Sequence, residues 1–134
     1  MQPTPTTAHH QLPAQRYAPA ELEGFRQLLV ERLAATEATI ASLEQVLLLD
    51  RSNGTDDTAR FTNVQEDGQA TLEREEAAHH MARQRKYRTD LSHALARIAN
   101  GTYGICRVTG QRIPAERLRA VPTATMCIQA KLNH

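Results

Sequence analysis

From Ala20 to about Asp50 the apolar residues Phe25, Leu29, Leu33, Ile40, Leu43 and Leu47 recur at steps of three, four or seven, with Thr36 filling the gap. Residues at those steps share one face of a helix, so the pattern predicts a long helix with a coiled-coil seam. Pro19 stands just ahead of Glu21 and Glu23, and acids in a first turn favour the positive end of the helix dipole. The pattern gives way to the polar run from Asp50 to Asp57, centred on Asn53-Gly54, which predicts a stop.

A second helix is expected to begin between Thr62 and Gln69, with Gly68 a weak spot, and to run to about Asn100, where Gly101 ends it as a C-terminal cap. Leu72, Met81, Leu91, Leu95 and Ile98 offer the partner stripe, best defined towards Asn100. Two helices of about 30 residues each, at 1.5 Å per residue, make a hairpin on the order of 45 Å long. Ahead of them, residues 1–19 carry four of the six prolines and little apolar material, and are expected to be disordered or loosely packed. Tyr17 is the residue there suited to pack back on a globular end.

Composition changes this picture only modestly. A chain of 134 residues, 40% hydrophobic and 23% charged, suits one soluble domain, and the absence of Trp with 4% aromatics leaves little to fill a large core. A net charge of +1 provides no global basic field, which disfavours direct nucleic-acid binding. No apolar run approaches the roughly 18 residues a membrane span needs. The expected location is the cytoplasm, where thiols stay reduced and a Cys106–Cys127 disulfide is disfavoured. No grouping of nucleophile, base and oxyanion donors can be assembled from motif spacing, so the chain is not expected to be an enzyme.

Candidate chemistry concentrates in Gly101 to Lys131. Cys106 and Cys127 are the only two cysteines, and three residues after each stands Thr109 or Ala130. Paired Cys-x2-Cys motifs about 15 to 20 residues apart supply the four thiolates of a structural zinc site, and here each pair keeps only its first member. The intervening residues Gly101, Tyr103, Gly104, Gly110, Ile113, Arg117, Leu118, Pro122, Thr123, Ala124 and Ile128, with the two cysteines, resemble the zinc-finger signature of the DksA/TraR family of bacterial transcription factors. Thr109 and Ala130 depart from it at the second and fourth ligand positions. The resemblance therefore suggests a zinc-independent paralogue, with no metal, no cofactor and vestigial metal-site cysteines at Cys106 and Cys127. The knuckle would then stand on Ile105, Val108, Ile113, Leu118, Val121, Met126, Ile128 and Leu132. His9-His10, in the polar tail, reads as incidental, and His79-His80 as surface residues, since neighbours on a helix point in different directions. His134 is the one further donor that would extend a Cys106–Cys127 site.

The fold class so expected is mostly α: a long antiparallel two-helix coiled coil with a small, metal-free, zinc-finger-like globular domain. Its parts are residues 1–19, the hairpin 20–100 with an acidic tip around 51–68, and the globular region 101–134 with a C-terminal helix. In DksA-like proteins and the similarly shaped Gre factors, such a hairpin enters the secondary channel of RNA polymerase and brings acidic residues near the catalytic magnesium. Carboxylates are hard oxygen ligands suited to that task. Counting forward from Phe25 places the family's tip at Asp56, Asp57 and Ala59, the favoured set. Counting back from Cys106 places it at Asn63, Glu66 and Gly68, with Glu66 and Asp67 the second choice.

The resemblance further implies a polymerase or ppGpp interface at Arg83, Lys86, Arg117 and Lys131. Asp90 and Val121 replace a Lys and an Arg of the best-known members, which weakens the ppGpp part. The implied function is a monomeric regulator that binds RNA polymerase and alters promoter complexes in the manner of the stringent response, without sequence-specific DNA binding. A Gre-like transcript-cleavage effector and a structural coiled-coil adaptor are the alternatives.

Overall fold

A computed structural model of the chain describes residues 16–54 and 64–133, with side chains described outside 50–67. Among the described residues four helices follow in order: α1 Pro19–Gly54, α2 Val64–Asn100, α3 Ala115–Ala120 and α4 Ile128–Asn133. Among the described residues there is no strand, only an isolated antiparallel bridge between Ile105 and Arg112. The mostly α class expected from the periodicity is what the backbone adopts.

Helix α1 runs past the stop expected at Asp50 and ends at Gly54. Helix propagation is cooperative, so a few polar residues of moderate propensity extend an established helix until glycine removes the backbone preference. Helix α2 starts inside the expected window and carries Gly68 in its interior. Its end is the predicted cap in detail. Gly101 has φ 78°, its N–H donates to the Ile98 carbonyl at 3.1 Å, and the Thr102 N–H donates to the Arg97 carbonyl at 2.9 Å. That pairing is a Schellman motif, which satisfies carbonyls the helix leaves open and needs a left-handed residue that glycine adopts at least cost.

The chain divides into two compact units, Met1–Arg32 with Asp90–His134, and Leu33–Thr89. In the second unit Ile40, Thr36 and Met81 are buried, and Arg85 Nη2 lies 3.6 Å from a Glu44 oxygen, so stretches of α1 and α2 run side by side there. Leu72, expected in the seam, is instead 55% exposed. Its step to Met81 is nine residues, which on a 3.6-residue helix lands on a different face.

The first unit holds the main core. Leu29, Leu91, Ala94, Ile113 and Leu118 are fully buried, and Tyr17, Phe25 and Tyr103 stack beside them, with ring centroids 5.2 and 5.5 Å apart in sequence. Three of the five aromatic residues are thus spent at one place, which resolves the apparent shortage of core material. The Tyr17 hydroxyl donates to the Ile113 carbonyl, and the Arg112 guanidinium sits 4.5 Å over the Tyr17 ring while donating to the Arg16 carbonyl at 2.7 Å. Gly104, at φ 82°, makes the close approach possible: a Cβ there would lie 2.7 Å from the Tyr17 ring. The remainder of the expected disordered segment, residues 1–15, lies outside the described residues.

Candidate functional site

The knuckle between α2 and α4 is organised around the Cys106 sulfur. The turn after it closes through Gly110 N–H to the Cys106 carbonyl at 2.9 Å and Cys106 N–H to the Gln111 carbonyl at 2.7 Å. Two further backbone N–H groups point at the sulfur itself, from Thr109 at 3.5 Å and from Cys127 at 3.4 Å. Burial alone would raise the Cys106 pKa; hydrogen bonds from the Thr109 hydroxyl and from the backbone of Thr109, Cys127 and Val108 outweigh it and bring it down to about 6. Cys106 is buried, Cys127 is half-buried, and both are free thiols.

The segment around Cys127 is held to the rest of the knuckle by Arg107 N–H to the Thr125 carbonyl at 2.9 Å and Arg117 Nε to the Met126 carbonyl at 2.8 Å. Tyr103 passes beneath, its hydroxyl donating to the Pro122 carbonyl at 2.7 Å, and its burial pushes its pKa up to about 12. The expected knuckle core is corrected here. Ile113 and Leu118 are buried, but Val108, Val121, Ile128 and Leu132 are exposed. Tyr17, Tyr103, Cys106, Ala124 and Ala130 fill the space instead, because short turns bring small residues and the preceding segment inward before the helical side chains can reach.

Arg83 and Lys131 are exposed, and Arg117 is half-buried and engaged with Met126. Lys86 is also exposed. A shallow depression of about 600 Å³ beside α3 and α4 is bordered by Arg112, Arg117, Val121 and Ile128. Asp56, Asp57, Ala59 and His134 lie outside the described residues, as do the side chains of Glu66 and Asp67, which fall in the first turn of α2. His79 and His80 sit near Glu76 and Arg83, and no group of three or more His, Cys, Asp or Glu gathers as a metal site among the described residues.

A small turn-rich knuckle joined to two long helices defines a class, that of helical-hairpin proteins with a zinc-finger-like domain. Residues 101–131 match the model of the prokaryotic dksA/traR C4-type zinc finger. The chain is 46% identical over 52 residues to the RNA polymerase-binding transcription factor DksA of Caulobacter vibrioides, covering 39% of this chain and 37% of that protein. It is 57% identical over 42 residues to YteA of Bacillus subtilis, covering 31% of this chain and 18% of that one. The matched segments thus span well under half of these curated relatives. Among solved structures, transcription factor DksA2 from Pseudomonas aeruginosa superposes with a TM-score of 0.71 at 29% identity, over 85% of this chain and 82% of that chain. Residues 101–131 thus carry a zinc-finger motif of the dksA/traR type, and over most of its length the chain is similar to a DksA-type transcription factor.

The match corrects one expectation. The knuckle was expected to take no cofactor, whereas the family model it matches is a C4-type zinc finger, so zinc is the group this segment is related to. The donors present fit it in part. Cys106 and Cys127 are adjacent through the 3.4 Å contact, while Thr109 supplies a hydroxyl and Ala130 no donor atom. The described residues therefore offer two of the four thiolates such a site uses.

Proposed function

We propose that this protein is a cytoplasmic transcription regulator that binds RNA polymerase directly, inserts its helical hairpin into the secondary channel and alters promoter complexes without reading DNA sequence. The observation that supports this reading most is the likeness to the DksA2 transcription factor over 85% of the chain, which extends well beyond the knuckle. The Caulobacter relative is by name RNA polymerase-binding. The net charge of +1 fits docking on a protein surface better than wrapping a polyanion.

In this reading the protein is a monomeric binding module and performs no covalent chemistry. Asp56 and Asp57, with Ala59 beside them, act near the catalytic magnesium, and Glu66 and Asp67 are the second acidic pair. Arg83, Lys86, Arg117 and Lys131 contribute to the docking face. The regulation is of the stringent-response type, lowering ribosomal RNA promoter output and raising that of some biosynthetic promoters.

The test is Asp56→Asn with Asp57→Asn, assayed for polymerase binding, promoter-complex lifetime and transcript cleavage. Regulation is expected to be lost with binding retained. Unchanged regulation moves the role to Glu66 and Asp67. Cleavage of backtracked transcripts by the parent protein, absent from the variant, favours a Gre-like effector, and no polymerase binding by the parent overturns the reading.

A further inference from the structure

Cys106 and Cys127 are 21 positions apart in the chain and are brought together by folding. The Cys127 N–H donates to the Cys106 sulfur at 3.4 Å, and the Cys127 sulfur is three bonds from that nitrogen. Both thiols are free, and no group of three or more Cys, His, Asp or Glu forms around them among the described residues. The Thr109 hydroxyl is already engaged in the turn, where it accepts the Gln111 N–H at 3.3 Å, and the buried Ala130 has no donor atom. What the fold assembles here is a pair of sulfurs.

A pair is half of the tetrahedral set that zinc takes, but it is a complete set for a monovalent soft cation, which is held by two thiolates in a line. Soft sulfur ligands also select such an ion over hard divalent ones. The supporting shell suits a bound thiolate. Thr109 and Cys127 each direct a backbone N–H at the Cys106 sulfur, and the turn that carries it is closed by Gly110 N–H to the Cys106 carbonyl at 2.9 Å. Two thiolates around one positive charge leave the complex with a charge of minus one. Arg16, Arg97 and Arg107 border the same cavity of about 350 Å³ as Cys106, and no acidic residue among those described does. There is also a way in, because Cys127 is half-buried and borders the open depression beside α3 and α4.

We propose that Cys106 and Cys127 form a two-coordinate site for a soft monovalent metal ion, copper(I) being the biological member of that class. Cys106 is the fixed ligand, held by its turn, and Cys127 is the ligand that swings onto the ion from the open side. Binding is a ligand exchange without electron transfer: the ion leaves a weaker carrier, two sulfur–metal bonds form, and any proton still on either thiol passes to solvent. The site does not depend on Asp56, Asp57 or the polymerase reading.

The experiment uses the full chain, reduced with a phosphine and kept free of oxygen, titrated with copper(I) held by a chromogenic chelator. One copper(I) per chain is expected to leave the chelator, with X-ray absorption showing two sulfur ligands. Cys127→Ser, which changes the more exposed ligand and should melt as the parent does, should weaken binding by about a hundredfold or more, since losing a ligand costs more than losing a supporting partner. His79→Gln and His134→Gln should leave the affinity unchanged. Silver(I), of the same charge and softness, should compete for the site. Equal copper(I) affinity in the parent and Cys127→Ser, a nitrogen ligand lost with either histidine, or displacement of copper(I) by an equal concentration of zinc overturns the proposal.

Discussion

At Tyr103 a single hydroxyl joins two turns of the knuckle, and its environment makes a pH prediction. The folded protein holds that proton to about 12 against an ordinary 10.0, so between those values it binds more protons than the unfolded chain. Stability is therefore fully present below pH 10 and declines as pH rises through about 12, by about 2 to 3 kcal/mol from this group. Tyr103→Phe should cost about 1 to 2 kcal/mol at neutral pH, because the buried Pro122 carbonyl loses its donor, and should flatten the alkaline decline. Urea denaturation at neutral and alkaline pH measures both. An equally steep alkaline decline in the variant would assign it elsewhere, Tyr17 being the other phenol whose pKa burial raises.

At the scale of elements, α2 separates residues that share an apolar character but not a role. Leu91 is fully buried and Leu72 is 55% exposed. Leu91→Ala should destabilise by about 2 to 5 kcal/mol through lost burial and the cavity left behind. Leu72→Ala should stay within about 0.5 kcal/mol by the same chemical denaturation. The knuckle makes a second element-scale prediction. Thr109→Cys with Ala130→Cys completes a four-thiolate set around Cys106 and Cys127, so zinc should bind more tightly than to the parent. Zinc should then raise the variant's melting temperature, by roughly 2.7 kcal/mol of stabilisation when free zinc reaches about a hundred times Kd. Competition with a chromogenic chelator gives the two affinities side by side, and equal affinities would show that Thr109 and Ala130 do not stand at ligand positions.

For the whole molecule, the relevant quantity is how charge is distributed rather than how much there is. The basic residues assigned to docking, Arg83 and Lys131, are exposed and belong to different compact units. Arg83→Glu with Lys131→Glu should weaken polymerase binding by about tenfold or more and slow association, since reversing rim charges acts on encounter as well as on the bound complex. Melting should be unchanged, as neither residue is buried. Surface plasmon resonance with immobilised polymerase core resolves the two rates, and full binding by the double variant would remove both residues from the interface.

Local features were decided by sequence alone. The recurrence at steps of three, four or seven from Phe25 to Leu47 marked a helix and a stripe that is buried at Phe25, Leu29 and Ile40 and half-buried at Leu33, Leu43 and Leu47, and Gly101 marked the end of α2, because periodicity and capping depend on neighbours within a turn or two. The knuckle motif from Gly101 to Lys131 was likewise legible, since its residues are consecutive in the chain. Burial was a different matter. Val108, Val121, Ile128 and Leu132 looked like core and are exposed, while Tyr17 reaches across 96 positions to the Ile113 carbonyl and takes the space. Arg16 borders one cavity with Arg97 and Arg107, although it is remote from both in the chain. Which apolar residues are covered, and which charges are brought together, depends on segments that meet only when the chain has folded, and that is what tertiary structure alone decided.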